Sequence, residues 1–400
     1  MTQRRTSRRA KIAAAAVAGA AALVTISALM PVAASASVRA QAASAARTSA
    51  PSLGAEQAAL YPIQRTLRLT AQGSCTALLH ELSRLAHAGV RSAACTEPAP
   101  ASFASRARTT LARSLCVPGR IVRTRHASCA VTAIRYQVIQ VPGGEVLGTG
   151  VIEFAYAEAL SNRSWTWGLP VAIDLAAATG VVRAGTVATI VIHCTNCTAS
   201  GPWVRPLVPR VVYSHVFGIR ARGGAVTNTS QAPVVEITNP AATTQALPVL
   251  LPSLGPARCD IIAVAFTRGC VFSDVAAVYL VYLKHHNEDG VATNVLIGQR
   301  TKPHHFGWFG HGSPLSRATN ARVERRNRQA ACGKTHFHRP WSCDEYPFAA
   351  TYQGAFYFPH DVSIRKVLGT QNSAESGYRV SMYRTERLLN LDRYWVFVQP

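Results

Sequence analysis

β-Branched and aromatic residues gather into short runs through the middle of this chain. Glycine- and proline-bearing turns separate the runs, which is the pattern of strands joined by tight connections. We therefore predict an antiparallel, sandwich-like β region. The runs cover residues 134–141, 151–156, 181–193 and 211–219.

The segment before these runs has a helical period instead. Leu78, Leu79, Leu82 and Leu85 recur at spacings that place them on one face of a helix. We therefore predict short helices between about 59 and 125.

The C-terminal part mixes the two patterns and is predicted to be α+β. Asn320 or Thr319 can cap one helix and Gly333 can end it. The predicted helices cover 319–331 and 373–388, and the predicted strands cover 278–283 and 394–398.

A proline-punctuated segment of low charge, residues 232–257, predicts a domain boundary. The chain is long enough for two domains that each bury a core. We predict a β-rich domain over 59–250 and a smaller α+β domain over 255–400, so that the fold class is α+β.

The N-terminus has the features of an export signal. Five basic residues precede the apolar run 12–30, and Ala34-Ser35-Ala36 offers small residues for cleavage. We predict a signal peptide over 1–36, followed by an Ala/Ser-rich linker over 37–58. An uncleaved anchor is the alternative, and the twin-arginine and general export routes both stay open. The protein is therefore predicted to be secreted.

The chain is strongly basic, with a formal net charge of +23. Removing residues 1–36 takes away five basic residues and no acids, which leaves +18. Such a charge attracts nucleic acid, anionic lipid and acidic cell-wall polymer alike. It therefore predicts a polyanionic partner without identifying it.

Ten cysteines, an even number, fit an exported protein. We predict disulfides, mostly between sequence neighbours. A Cys-x-x-Cys at 194–197 could be half of a zinc site or a redox pair, but no second copy completes a zinc site, so a disulfide is favoured. The neighbouring pairs are Cys75 and Cys95, Cys116 and Cys129, Cys194 and Cys197, Cys259 and Cys270, and Cys332 and Cys343.

The most informative chemistry lies near the C-terminus. Asp344 and Glu345 are adjacent acids, and Asn372 and Glu375 follow about thirty residues later. Carboxylate and carboxamide oxygens suit a single hard ion, Mg²⁺ or Mn²⁺. One acid can activate water while the ion stabilises phosphoryl charge. Repulsion between the two acids is expected to raise the pKa of one of them.

A structural interpretation competes with this chemistry. Residues 342–345 match a Ser-x-x-Glu capping box at a helix start. Pro347 would then fall inside the helix, which favours the site. Asn372 with Glu375 is likewise a good capping pair, and both roles can hold because helix N-termini favour phosphate.

Histidines and arginines are dense in the same region. Two histidines spaced as His-x-His, at 336 and 338, would share one face of a strand and could bind a transition metal. Exposed histidines that contact phosphate or have no role are the favoured interpretation. We predict that Arg339, His338 and Arg326 contact DNA phosphates, with an exposed arginine of no role as the alternative.

These motifs resemble those of the NucA/NucB-type family of secreted bacterial deoxyribonucleases. The resemblance covers about residues 255–400, and DEYPFA at 344–349 is its most specific part. The motifs are GCVF at 269–272, PLSRAT at 314–319, NRQAAC at 327–332, SCDEYPFAATYQGA at 342–355, QNSAESGY at 371–378 and RLLNLDRYWVFV at 387–398.

The resemblance implies a small α+β nuclease domain with a ββα core of the metal-finger type. By motif, Asp344 would be the base, Asn372 would hold the metal, and Glu345 would support them. Glu375 is a further candidate ligand. It also implies an endonuclease acting on single- and double-stranded DNA without sequence preference. The segment 356–369 lacks the glycine-rich insertion expected there, which puts the shape of the cleft in question.

A binding protein without activity is the main alternative function. A degenerate nuclease fold could capture extracellular DNA, with affinity that falls steeply with salt. A third hypothesis places the function in the β-rich half, which would bind a cell surface. A protein inhibitor is a further partner that we consider.

Overall fold

The computed structural model describes residues 63–66, 74–100, 116–261 and 267–400. The predicted signal peptide and linker lie outside these residues. Within them the chain is mixed α+β and mostly β, with nineteen strands and four α-helices. None of the helices in these ranges is long and apolar enough to cross a membrane.

The elements are numbered in chain order. The helices are α1 (Cys75–His87), α2 (Asp289–Thr301), α3 (Ala321–Cys332) and α4 (Gly369–Thr385). The strands of the first two thirds are β1 (Ile63–Thr66), β2 (Ser92–Ala99), β3 (Arg120–Arg123), β4 (Ala127–Gln140), β5 (Val146–Ala159), β6 (Thr166–Ala178), β7 (Val187–Thr195), β8 (Cys197–Ala199), β9 (Trp203–Pro206), β10 (Val212–Ala221), β11 (Val226–Thr238), β12 (Val249–Leu250), β13 (Ala257–Asp260) and β14 (Gly269–Val271). The remaining strands are β15 (Ala277–Tyr282), β16 (Leu315–Ser316), β17 (Trp341–Tyr346), β18 (Ser363–Leu368) and β19 (Arg393–Gln399).

The N-terminal region consists of two antiparallel sheets around one apolar core. The first has the order β1-β3-β4-β5-β6-β10-β8, with β2 also paired to β4. The second has the order β14-β13-β11-β7-β9, with β12 beside β11. Side chains from both sheets share the core, among them Phe154, Phe217, Ile190 and Val235. The β-rich, sandwich-like architecture is the one that the β-branched and aromatic runs predict.

Two expectations differ from the structure. Among the described residues of 59–125, α1 is one of the short helices predicted there, whereas β2 and β3 pair with β4 in the first sheet. Long-range pairing overrides local propensity there. The change from one core to the next lies between Val275 and Ala277, later than position 255. The division into separate domains stays a prediction.

The C-terminal region places two small sheets against three helices. β15 and β19 run parallel, with β16 on the other edge of β19. β17 and β18 form an antiparallel pair, and α4 follows β18 directly. Asn320 caps α3 and Gly333 ends it, as predicted. The last helix begins at Gly369, four residues before the predicted start, and the last strand is confirmed.

The two regions meet through buried ion pairs. Arg125 donates to Asp392 at 3.0 Å, and Arg258 donates to the other oxygen of Asp392 at 2.8 Å. Arg387 reaches back to Asp260 at 2.6 Å. Because Arg125 and Arg387 are fully buried, these contacts fix the end of α4 and the start of β19 against the sandwich.

Candidate active site

A cleft of about 1110 Å³ runs beside β17 in the C-terminal region. β17 pairs with β18 alone among the described strands, and its residues 341–345 line this cleft. Helices α3 and α4 bound the cleft. Asp344, Glu345, Asn372 and Arg379 line it, which brings the predicted acid pair and amide to one opening.

The acid pair lies on a strand and does not begin a helix. Residues 341–346 pair in register with 363–368, with Asp344 opposite Arg365 and Glu345 opposite Ile364. The capping-box interpretation of 342–345 is therefore wrong, because cross-strand pairing holds these residues extended. Neighbouring side chains of a strand point to opposite faces, so the two acids approach the cleft from two sides.

Asp344 is nearly buried, at 4% exposed, and one of its oxygens is held by a helix. Asn294 on α2 donates from Nδ2 to Asp344 Oδ2 at 2.8 Å, and accepts from Ser363 at 2.6 Å. Burial raises the pKa of Asp344 well above its usual value. The hydrogen bond from Asn294 lowers this pKa and the charge of Glu375 raises it. Asp344 thus holds a proton more tightly than an ordinary aspartate.

Glu345 has a different environment on the α3 side. Its Oε2 lies 3.4 Å from Cys332 Sγ, in the disulfide that joins α3 to β17. Burial raises the pKa of Glu345 to about 7, against the lowering effect of Arg328 and Arg379. Both acids therefore have raised pKa values, and the main cause is burial. From the sequence, repulsion between the two acids is expected to raise the pKa of only one of them.

Asn372 joins helix α4 to β17 by hydrogen bonds. It lies in the first turn and not at the cap, because the helix begins earlier and Leu368 occupies the cap position. Its Nδ2 donates to Ser342 Oγ at 3.1 Å and to the carbonyl of Cys343 at 2.9 Å. Since a carbonyl can only accept, the amide nitrogen must face the strand, which leaves Oδ1 as the acceptor for a ligand.

Glu375 on α4 is buried and paired. It is 1% exposed, bonds Arg379 at 2.8 Å and accepts from the Tyr279 hydroxyl at 3.1 Å. Burial alone would lower the pKa of Arg379, but the Glu375 carboxylate outweighs it and raises this pKa. The Arg379 guanidinium also lies over the Phe348 ring at 4.5 Å. Arg379 was missed from sequence, although its i,i+4 spacing from Glu375 was visible.

The predicted phosphate contacts do not all reach the cleft. Arg339 lines it, whereas His338 is exposed in the adjoining loop and is absent from the lining. Arg326 stacks over Phe356 at 5.0 Å on the outer face of α3. Arg328, which sequence reasoning left out, does line the cleft. The roles of Arg339, His338 and Arg326 stay predictions.

The cleft chemistry suits a hard ion better than a soft one. Among the described residues, the one close group of candidate ligands is Cys332, Cys343 and Glu345. The two cysteines are joined in a disulfide and offer no thiolate. His336 and His338 lie in a loop, so the strand on which a His-x-His site depends is absent there. The remaining donors are carboxylate and amide oxygens, which fit Mg²⁺ or Mn²⁺ with retained waters.

All five neighbouring cysteine pairs are disulfides. The Cys194–Cys197 bond excludes a zinc half-site, and Cys259–Cys270 joins β13 to β14 within the N-terminal sandwich. Cys332–Cys343 is the pair beside the acids. The pairs are Cys75–Cys95, Cys116–Cys129, Cys194–Cys197, Cys259–Cys270 and Cys332–Cys343.

Comparison with known proteins bears on the C-terminal region. No curated protein matches this sequence. The family described as Deoxyribonuclease NucA/NucB matches residues 310–397. GCVF at 269–272 lies before the matched part, and its strand belongs to the sandwich. The match over residues 310–397 confirms, for this C-terminal segment, the family resemblance that the motifs indicate.

Proposed function

We propose that this protein is a secreted, metal-dependent endonuclease that hydrolyses phosphodiester bonds of DNA with little sequence preference. The observation that carries the proposal is the acid pair on β17, which lines the cleft within the segment that matches a deoxyribonuclease family. Five disulfides and the basic, apolar N-terminus support secretion.

A divalent metal, Mg²⁺ or Mn²⁺, is the proposed cofactor. β17, β18 and α4 follow one another as a strand pair and a helix, which is the order of a ββα metal-finger core. Asn372 would hold the ion through Oδ1, and Glu375 would join it only by leaving Arg379. When bound, the ion would neutralise charge on the phosphoryl oxygens and the leaving oxygen.

The chain's own residues supply the base and the orientation. Asp344 in its ionised form accepts a proton from water as the water oxygen bonds to phosphorus and one phosphorus–oxygen ester bond breaks. The leaving deoxyribose oxygen then takes a proton from solvent water. Its raised pKa suits a base that acts near neutral pH. Asn294 holds Asp344 by one oxygen, and Glu345 supports the site from the other face of β17. Arg379 and Arg339 place positive charge beside the phosphate.

Plasmid nicking by the full chain tests the proposal. Asp344→Asn keeps the shape of the side chain but cannot accept the proton, so the rate should fall by about 10²- to 10⁴-fold. EDTA should silence the wild-type protein. Glu324→Gln is a matched control, since Glu324 also lines the cleft but pairs with Arg328. Nicking by Asp344→Asn at the control's rate would remove Asp344 from the mechanism.

The binding protein without activity remains the competing function. It predicts salt-dependent DNA affinity and no cleavage with any of Mg²⁺, Mn²⁺, Ca²⁺ or Zn²⁺. Docking to a cell surface through the sandwich, and a protein inhibitor, stay predictions.

A further inference from the structure

One end of the cleft is lined by exposed aromatic rings. Trp341 is 41% exposed and Phe337 is 36% exposed, although both are large and apolar. The Lys366 ammonium lies 4.8 Å from the Trp341 ring centre and 5.9 Å from that of Phe337. The two rings and the cation form one platform, here named the aromatic platform.

The platform shares one face of β17 with Glu345, one of the two acids that line the cleft. Trp341, Cys343 and Glu345 alternate along β17 and so share one face, with Lys366 directly opposite Cys343 on β18. Four residues of strand span about 13 Å. A DNA strand whose phosphate lies at the acids therefore passes the platform within a few nucleotides.

The charge around the platform selects a polyanion. Residues 334–341 read KTHFHRPW and contain no acid, and the basic residues among them are exposed. A peptide partner with an apolar face would bring no negative charge to compensate these exposed basic residues. Aromatic rings interleaved with cations are the combination that binds single-stranded nucleic acid, with bases stacked on rings and phosphates at the cations.

We infer that the aromatic platform binds an unpaired nucleobase next to the phosphodiester that is cleaved. The inference rests on the proposed function and makes it more specific, because it names DNA with unstacked bases as the preferred substrate. Paired bases of a duplex present their edges and not their faces, so they cannot stack on Trp341 without leaving the helix.

The test distinguishes binding of the nucleobases from binding of the phosphates. Binding of the full chain to an oligodeoxythymidylate is measured by fluorescence anisotropy in EDTA at fixed salt, so that cleavage plays no part. The second probe is an abasic oligonucleotide with the same number of phosphates. Trp341→Leu should weaken oligodeoxythymidylate binding by at least about fivefold, as expected for one lost stacking contact. Binding of the abasic probe should change by less than about twofold.

Two matched variants control the experiment. Trp341→Phe keeps a ring and should retain most of the affinity, so a comparison with Trp341→Leu isolates stacking from folding. Tyr357→Ala removes an aromatic that is 44% exposed but absent from the cleft lining, and should change neither affinity. Equal loss on both probes, or equal effects of Trp341→Leu and Trp341→Phe, would overturn the inference.

The outcome is independent of whether the protein cuts DNA. Absence of cleavage with every divalent ion would reject the nuclease, while base-dependent binding would still support the platform. If the protein does cut, Trp341→Leu should slow cleavage of single strands more than of duplex. An equal effect on both substrates would contradict the preference for unpaired bases.

Discussion

The acids between the two regions and the acids of the cleft are buried to a similar degree but have opposite electrostatic surroundings. At the junction, Asp392 accepts from Arg125 and Arg258, and Glu386 pairs with His126 at 2.8 Å. Burial would raise the pKa of both acids, yet their cationic partners outweigh it and lower the pKa. In the cleft, Asp344 and Glu345 have raised pKa values.

The difference separates buried carboxylates with a structural role from buried carboxylates that are available for catalysis. A carboxylate matched by buried guanidinium groups is fixed in its ionised form and holds two regions together. A carboxylate buried with less compensation keeps a proton affinity that can be used for catalysis. The same residue types therefore serve as a joint at one end of α4 and as a site near the other.

Removing the sandwich should have the largest effect on folding, because it removes the partners of the junction residues. A fragment of residues 277–400 exposes Arg387, Asp392 and Glu386 without the partners that Arg125, Arg258 and Asp260 supply. We expect loss of cooperative folding, and with it loss of nicking, measured by circular dichroism and plasmid assay. A fragment that melts cooperatively and nicks like residues 37–400 would show that the junction is dispensable.

Asp392→Ala disrupts the junction and leaves the residues that line the cleft unchanged. It leaves Arg125 and Arg258 buried without their shared carboxylate, which should cost about 3–5 kcal/mol of unfolding free energy. Urea denaturation measures the loss. The nicking rate per folded molecule should be unchanged.

Glu324→Ala provides the comparison for that experiment. It breaks the exposed pair with Arg328 and should cost less than about 1 kcal/mol. Equal destabilisation by the two substitutions would mean that the buried junction has no special role.

Local features of the fold were predictable from sequence. The caps Asn320 and Gly333 place α3, and the five disulfides join neighbouring cysteines. These features depend on residues at most twenty positions apart, so single-sequence patterns contain them. The Ser-x-x-Glu pattern at 342–345 shows the limit, because pairing with β18 decides its conformation.

Features that depend on distant partners were not predictable. Asn294 lies fifty residues before Asp344 in a helix without a motif, outside the family match. Arg125 and Asp392 are separated by 267 positions. Nothing local distinguishes a buried arginine of this kind from an exposed one until the fold brings its carboxylate near.

Substitution of Asn294 tests how the surroundings of Asp344 set its pKa. The hydrogen bond from Asn294 lowers the pKa of Asp344 more than the charge of Arg379 does. Asn294→Ala should raise that pKa further, shift the acidic limb of the pH–rate profile to higher pH, and slow nicking by roughly 10- to 100-fold through misplacement of the base. Ser363→Ala is the control, since it removes only the bond to the far side of Asn294. A slower rate without a shifted profile would reduce Asn294 to a packing residue.

The smallest expected effect is on the pH dependence of stability in the metal-free protein. Because the pKa of Glu345 is raised to about 7, the folded state binds the proton that the unfolded state releases near pH 4.5. Stability due to this group is complete below that pH and is lost as pH rises towards 7. Glu345→Gln removes the loss and should make the protein more stable than wild type at pH 8, with little change at pH 4.

Glu386→Gln should behave in the opposite way. The lowered pKa of Glu386 contributes stability above the usual glutamate pKa, and this stability disappears as pH falls through the lowered value. The variant should therefore be less stable than wild type at pH 7 and approach it in acid. Urea titrations at pH 4 and pH 8 measure both variants. Shifts of the same sign in the two variants would show that burial alone, and not pairing, governs these carboxylates.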